Sequence, residues 1–233
     1  MEYIICLILI VLVLLILGFV FSINLKKIKK LSENKNLDEI VERFPENKEI
    51  CNTILKMLKN ESVTVEENTN YNTSLYIAIT NKIIISKMKS SFVRIQTIAH
   101  ECLHSIQSRK ILMFNYIFSN IYIIYFILAV ILTILNIFKN YQLQIFILTI
   151  LGFVQYIVRS YLETDAIIKA KYLSKEYIDK TNICTSDEKG KLIAKYTEIT
   201  NIGVLLVNYN LLLKILIKIL IYIIVAFTLQ NII

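Results

Sequence analysis

Two histidines four residues apart are the residues of this sequence whose types and spacing most clearly suggest chemistry. His100 and His104 are the only histidines in the chain, and Glu101 directly follows the first of them. On a helix, residues four apart lie on one face about one turn from each other, so both imidazoles can reach one metal ion. A neighbouring glutamate can accept a proton from a water that the metal activates. The spacing therefore predicts a His-Glu-x-x-His zinc site with Glu101 as the general base.

The alternative is a pair of solvated histidines on a basic amphipathic helix, which needs no metal. The motif is more specific than most short patterns because both histidines of a 233-residue chain fall within it. Random placement would produce this arrangement with a probability below roughly 10⁻³, so the usual false-positive rate of short motifs is much reduced. We therefore favour the metal site.

A catalytic zinc site needs a third protein ligand and one open coordination position. The chain has no third histidine, and Gln107 and Lys110 stand where a longer histidine motif would need Gly and His. Cys102 lies between the two histidines in sequence and points to another helix face. Glu163 is the best candidate, because two predicted membrane crossings after His104 return the chain to the side it left. The alternative is that Glu163 is only a polar residue at the end of a membrane helix.

Four apolar segments predict membrane-spanning helices. The chain is 56% hydrophobic, with 4 Gly, 1 Pro and no Trp, which exceeds the apolar share of ordinary soluble domains. The segments cover residues 3–21, 111–138, 143–158 and 203–229. The first is expected to be an uncleaved anchor, because it lacks the basic start and small-residue cleavage site of a signal peptide. In the last, Asn210, Lys214 and Lys218 share one face, so its first half either lies in the interface or packs on the soluble region.

Positive charge clusters beside these apolar segments. The formal net charge is +8, and Lys26, Lys27, Lys29 and Lys30 follow the first segment. The positive-inside bias places the region after them in the cytoplasm. We therefore expect a multi-pass protein of the cell membrane, with the lipid bilayer as a partner and the catalytic region facing the cytoplasm. We expect no nucleic-acid partner, because the lysines are better explained as membrane flanks.

The polar stretches between the spans predict a small α+β region around the motif. Before it we expect helices at residues 37–44 and 46–59, a strand at 62–66 and a hairpin at 75–85. The motif helix is expected to start at a cap on Ser90 or Ser91 and to end near Ser108. After the spans, we expect a helix at 161–178 and another opened by Thr185 and Glu188 at capping-box spacing.

The fold class that follows is a mainly α membrane protein with about four transmembrane helices and a small cytoplasmic α+β region. We divide the chain into an N-terminal anchor at 1–23, a cytoplasmic region with the hairpin and metal-binding helix at 24–110, a transmembrane helix pair at 111–160, a cytoplasmic helical segment with the third ligand at 161–201, and a C-terminal transmembrane or interfacial helix at 202–233. The cysteines are far apart in sequence and form no CxxC pair, which predicts reduced thiols; they are Cys6, Cys51, Cys102 and Cys184.

Together these features resemble the bacterial neutral zinc metallopeptidases, a family of membrane-bound zinc peptidases of the gluzincin-like class. The resemblance covers most of the chain, and its specific parts are residues 99–107, with His-Glu-x-x-His-x-x-Gln, and residues 163–166, with Glu-x-Asp-Ala. It implies a zincin-like fold and a protein or peptide substrate at or near the membrane. It also implies Zn²⁺ ligands and a base, namely His100, His104 and Glu163 as ligands and Glu101 as base.

The chain departs from the family pattern at two places. Such families often have Gly between the motif glutamate and the second histidine, where this chain has Cys102 and Leu103. Related peptidases place an Asp four residues after the ligand glutamate, where this chain has Ile167. Asp165 lies on roughly the opposite helix face from Glu163, so its role in orienting a histidine is left open. Gln107 is a comparable candidate, with a plain surface glutamine as the alternative.

Two further parts of an active site are less determined. An oxyanion donor is required, and since no histidine remains it must be a Tyr or an Arg. Tyr161 and Arg159 are near in sequence only, and the sequence does not choose between them. The hairpin at 75–85 is where zincin-like enzymes carry an edge strand that pairs with extended substrate, and a purely structural hairpin is the alternative.

The sequence therefore predicts a membrane-anchored zinc endopeptidase, with other functions as rivals. A site-two-type intramembrane protease is disfavoured because polar residues such as Arg94, Gln96 and Arg109 flank the motif. A catalytically inactive metallopeptidase-like membrane adaptor would keep the fold without the reaction. A membrane-surface binding protein would use the lysine flanks and need no metal. Substrate identity, physiological role and oligomeric state are not determined by the sequence.

Overall fold

The computed structural model describes residues 2–21, 34–68, 73–86 and 91–230. Its helices are α1 Glu2–Val20, α2 Lys35–Glu42, α3 Asn47–Met57, α4 Arg94–His104, α5 Arg109–Ile134, α6 Tyr141–Thr181 and α7 Ser186–Gln230. Its strands are β1 Thr64–Asn68, β2 Leu75–Ile77 and β3 Lys82–Ser86. The lysines at 26, 27, 29 and 30, from which the cytoplasmic orientation is predicted, lie outside the described residues, as does Ser90.

The chain forms two compact units, which we describe separately. The helical unit comprises Met1–Ile23, Phe114–Tyr161 and Leu205–Ile233. The mixed unit comprises Asn24–Met113 and Leu162–Val204, and it contains the sheet, the motif helix and the polar ends of α6 and α7.

Three helices, α5, α6 and α7, are long and apolar enough to cross a membrane. This agrees with three of the four predicted spans and indicates a membrane protein. In α1 the continuous apolar stretch whose side chains the structure describes is Val11–Val20, which is shorter than the roughly 20 residues that a crossing needs. The fourth span therefore stays a prediction.

Two helix boundaries predicted from the sequence are wrong. The predicted span 143–158 and the predicted helix 161–178 form one continuous helix, α6, of 41 residues. Likewise α7 runs for 45 residues through both the capped helix and the last apolar segment. At 1.5 Å per residue, α6 is about 60 Å long, roughly twice the hydrocarbon thickness. The change from apolar to polar residues marks a change of surroundings along an unbroken helix, because neither helix contains a proline to interrupt it.

Helix ends follow the predicted caps only in part. The capping box of α7 is confirmed: the Glu188 N–H donates to Thr185 Oγ1 at 3.3 Å, and Glu188 Oε2 accepts the Thr185 N–H at 2.9 Å. The predicted serine cap of α4 is wrong, because Val93 occupies that position without a side-chain bond. Pro45 precedes the cap residue of α3 and so lies outside its first turn.

The mixed unit contains a three-stranded sheet with the order β1-β3-β2. The predicted hairpin is confirmed, because β2 and β3 pair antiparallel with Tyr76 opposite Ile83. The strand β1 pairs parallel with β3, which the alternating pattern alone did not indicate. Since β3 is central, β2 is an edge strand, and α4 packs close to it.

Arg94 is fully buried at the start of α4 and holds the connection between α2 and α3. Its guanidinium donates to the carbonyls of Val41, Phe44 and Pro45 and to Asn47 Oδ1, all at 2.8–2.9 Å. Every one of these acceptors belongs to the α2–α3 region. The arginine therefore anchors the motif helix to α2 and α3.

Replacing Arg94 by Met is expected to lower the free energy of unfolding by at least about 3 kcal/mol, because buried acceptors left without a donor cost about 1–3 kcal/mol each. Chemical unfolding of the purified protein in detergent measures this. The matched control is Arg43→Met, which removes an exposed arginine paired with Glu188 and should have a much smaller effect, because solvent screens that pair. Equal effects of the two substitutions would contradict the anchoring role of Arg94.

Candidate metal centre

One face of α4 meets the polar part of α6 inside the mixed unit. His100 and His104 lie one turn apart on α4, with their Nε2 atoms 3.0 Å from each other. Glu163 on α6 brings its Oε2 atom to 3.5 Å from His100 Nε2 and 3.7 Å from His104 Nε2. The structure thus brings together the three side chains that the sequence predicts as metal ligands, and they could hold a metal ion.

The geometry of these three atoms fits a zinc ion. Ligand atoms placed tetrahedrally at 2.0–2.2 Å from zinc are separated from one another by about 3.3–3.6 Å. The sides of the observed triangle, 3.0, 3.5 and 3.7 Å, require shifts of only a few tenths of an ångström to match. The side chains are 12–21% exposed, so the centre is mostly buried but still accessible to solvent. Two imidazoles and one carboxylate leave the fourth tetrahedral position for a water or a substrate.

Glu101, the predicted base, is buried at 8% exposure beside this centre. Its Oε2 atom accepts the backbone N–H of Tyr76 at 2.7 Å. Burial raises the pKa of Glu101, and the charges of His100 and His104 act in the opposite direction. A raised pKa suits a general base, because proton transfer is most effective when the pKa lies near the working pH. The contact with Tyr76 also ties the edge strand β2 to the motif helix.

The second histidine has a partner that the sequence left uncertain. His104 Nδ1 lies 2.8 Å from Gln107 Oε1, so Gln107 is not a plain surface glutamine. The Gln107 amide nitrogen in turn donates to the Leu162 carbonyl at 2.8 Å and to Asp165 Oδ2 at 3.2 Å. Burial opposes protonation of His104, but the negative charges of Glu163, 3.7 Å from its Nε2 atom, and of Glu101 outweigh this and raise the pKa of His104.

Cys102 does not take part in the centre. Its side chain is fully buried on the other side of α4, with its Sγ atom 3.5 Å from that of Cys51. Burial raises the pKa of the Cys102 thiol well above its ordinary value, and only the thiolate is a good metal ligand. Cys51, Cys102 and Cys184 are free thiols, as the sequence predicts. The side chain of Cys6 lies outside the described part of the chain.

A cleft of about 180 Å³ adjoins His100 between α4, α6 and α7. Its lining is mostly apolar and consists of Val93, Gln96, Thr97, His100, Ile167, Ala170, Ile199, Thr200 and Gly203. Gln96 is fixed in the wall by a 2.8 Å hydrogen bond to Thr200. Sequence reasoning missed this cleft. The helical spacing of Gln96 and His100 was the one signal for it on α4, and the residues from α7 carried none.

The two residues considered for the oxyanion, Arg159 and Tyr161, belong to the helical unit. The oxyanion donor stays unassigned.

Comparison with known proteins adds no relative: no protein-family model, no curated protein and no solved structure matches this chain. The resemblance to the bacterial neutral zinc metallopeptidases therefore stays a hypothesis, based on the motif and on the geometry of the centre.

Proposed function

We propose that this protein is a membrane-anchored zinc-dependent endopeptidase of a zincin-like type. The observation that carries the proposal is the triangle of His100 Nε2, His104 Nε2 and Glu163 Oε2, with sides close to those of a tetrahedral zinc site. Glu101, buried next to the first histidine, supplies the base that peptide hydrolysis requires.

A zinc ion at this centre would supply Lewis acidity, which polarises the scissile carbonyl and lowers the pKa of the attacking water. Glu101 accepts the proton of that water and passes it to the leaving amine. Because the Tyr76 N–H holds Glu101 Oε2, the other carboxylate oxygen is the one available for the proton. Removing the side chain's carboxylate should therefore stop the reaction without disturbing the three ligands.

Substrate would bind in an extended form beside the edge strand β2, because such strands offer unpaired backbone groups to an added peptide. The Tyr76 N–H points away from β3 and is already bonded to Glu101, so the outer edge of β2 faces the same side as the base, and the outward-facing backbone group that Tyr76 can still offer to a peptide is its carbonyl. The cleft beside His100 has room for a side chain of about six non-hydrogen atoms, at roughly 30 Å³ for each water-sized group. Its mostly apolar lining favours an aliphatic side chain.

The membrane helices bear on where the substrate is found. The helix α6 carries Glu163 and is also one of the helices that could cross a membrane. A site built on such a helix is tethered to the bilayer, which favours membrane or membrane-proximal proteins as substrates. The lysines that follow α1 support a cytoplasmic position for the site and a fourth span.

An intramembrane protease is less consistent with the structure. The motif helix α4 has 11 residues, about 16 Å at 1.5 Å per residue, which is too short to cross the hydrocarbon core. Its first residue, Arg94, is buried against backbone carbonyls of the mixed unit. The motif therefore belongs to a folded polar region.

The proposal is tested by metal content and metal-dependent proteolysis of the full chain in detergent or nanodiscs. We expect about one zinc per chain and cleavage of a peptide pool, abolished by 1,10-phenanthroline and restored by added Zn²⁺. The 1,7-phenanthroline isomer, which does not chelate, is the matched control and should have no effect. Protein without zinc after careful purification, or cleavage that survives the chelator, would overturn the proposal.

A further inference from the structure

Gln107 lies in the turn after α4 and contacts three groups around the candidate metal centre. Its Oε1 atom faces His104 Nδ1 at 2.8 Å, and its Nε2 atom faces the Leu162 carbonyl and Asp165. The histidine is one turn back on α4, whereas the other two partners are on α6. The glutamine therefore connects the two helices that carry the ligands.

The direction of the Gln107 amide follows from its partners on α6. The Leu162 carbonyl, 2.8 Å away, can only accept a hydrogen bond, and so can the ionised carboxylate of Asp165, 3.2 Å away. A flipped amide would place Oε1 against two other oxygens, so the NH₂ group must face them. Lys169 pairs with Asp165 at 2.6 Å, which keeps that carboxylate ionised and accepting.

The amide direction decides the hydrogen position on His104. Since Gln107 Oε1 has no hydrogen to donate, His104 Nδ1 must carry one and donate it. A neutral imidazole with hydrogen on Nδ1 has its lone pair on Nε2. That Nε2 atom lies 3.0 Å from His100 Nε2 and 3.7 Å from Glu163 Oε2. It is one of the three atoms between which a metal ion would bind.

We infer that Gln107 is a positioning residue that holds His104 in the Nδ1–H tautomer, with its Nε2 lone pair directed into the metal centre before any metal binds. The positioning role of Gln107 rests on the proposed zinc site, whereas the hydrogen position on His104 is a property of the metal-free protein. A consequence follows for His100. Its Nε2 atom must donate to His104 Nε2 in the metal-free state, so the two histidines have opposite tautomers.

The test is nitrogen NMR of metal-free protein labelled with ¹⁵N-histidine. The chain has only two histidines, so the spectrum contains two imidazole rings, and the His100→Asn variant assigns them. Spectra are recorded at increasing pH until the nitrogen shifts stop changing, so that the hydrogen position is read with both rings neutral. We expect His104 with hydrogen on Nδ1 and His100 with hydrogen on Nε2.

The variant Gln107→Met keeps the side-chain length but replaces the amide with a thioether, which is only a weak hydrogen-bond acceptor. It should abolish the Nδ1–H preference of His104 and weaken zinc binding by about 10–100-fold, the usual effect of losing an outer partner of a ligand histidine. The matched control is Gln142→Met, which changes an exposed glutamine on α6 and should leave both readouts as in wild type. Circular dichroism shows whether each variant folds.

The wild-type spectrum alone can contradict the inference. The test therefore stays valid even if the Gln107→Met variant fails to fold. Hydrogen on Nε2 of His104 in wild type would overturn the inference, as would an unchanged tautomer in folded Gln107→Met. The result for the His104 tautomer can be distinguished from the result for the proposed peptidase function. The expected tautomers without zinc binding would support the positioning of His104 and reject the peptidase, whereas zinc-dependent proteolysis with hydrogen on His104 Nε2 would do the reverse.

Discussion

Glu101→Gln is expected to reduce peptide-bond hydrolysis by roughly 10²–10⁴-fold, the usual contribution of a general base, while zinc stays bound. The substituted amide has nearly the same shape, and its oxygen can still accept the Tyr76 N–H that now reaches Glu101 Oε2 at 2.7 Å. It cannot take up a proton from water at neutral pH. The turnover number with a cleavable peptide and the zinc content of the same sample are the two measurements.

The control for this substitution is Glu61→Gln, which makes the same chemical change at an exposed position before β1 and should keep full activity. Two outcomes would contradict the assignment of the base. Full activity in Glu101→Gln would remove Glu101 from the reaction. A loss of zinc together with activity would show that Glu101 holds the metal instead. A catalytically inactive adaptor predicts no functional loss in this variant.

Glu163→Ala is expected to weaken zinc binding by more than the roughly 10–100-fold that loss of an outer partner costs, because a direct ligand is lost. The same holds for His104→Ala. With one ligand gone, two protein donors remain, fewer than the three that catalytic zinc sites use. Competition with a coloured chelator measures the dissociation constant, and activity should fall in parallel.

The matched control for Glu163→Ala is Glu176→Ala on the same helix. Glu176 is exposed, and it pairs with Lys180 one turn away. Its loss should leave zinc affinity unchanged. Full zinc affinity in Glu163→Ala would show that another residue is the third ligand, and the triangle seen here would then lack its proposed role. A membrane-surface binding protein predicts that neither wild type nor any variant binds zinc.

Local features of this protein can be predicted from its sequence because each depends on a few residues that are close together in the chain. The spacing of His100 and His104 places both on one face of any helix, and α4 is a helix there. The alternation and turn residues between Leu75 and Ile85 predict the β2–β3 hairpin. Thr185 and Glu188 predict the start of α7 through their own mutual hydrogen bonds. Long apolar runs predict three membrane-length helices.

The errors have an equally local cause. Sequence reasoning ended two helices where the residues change from apolar to polar, near Arg159 and near Asn201, although α6 and α7 continue through both. A change from apolar to polar side chains indicates a change in what surrounds a helix. It does not indicate that the backbone hydrogen bonds of the helix end there. No proline interrupts α6 or α7 at these places, and their backbone hydrogen bonds continue.

The sequence by itself determined which side chains could form the site, namely the two histidines and Glu101. The order of its predicted membrane segments gave a reason to choose Glu163 among the other carboxylates. Only the tertiary structure decided which of these side chains touch. The contact of Tyr76 N–H with Glu101, and the bonds from Gln107 to His104, Leu162 and Asp165, depend on how α4 is rotated against β2 and α6. That rotation is set by close packing of a buried core drawn from distant parts of the chain. Contacts between distant segments, such as those of Tyr76 with Glu101 and of Gln107 with Asp165, have no period along the sequence. Only the pair of His104 and Gln107, about one turn apart, was indicated by spacing.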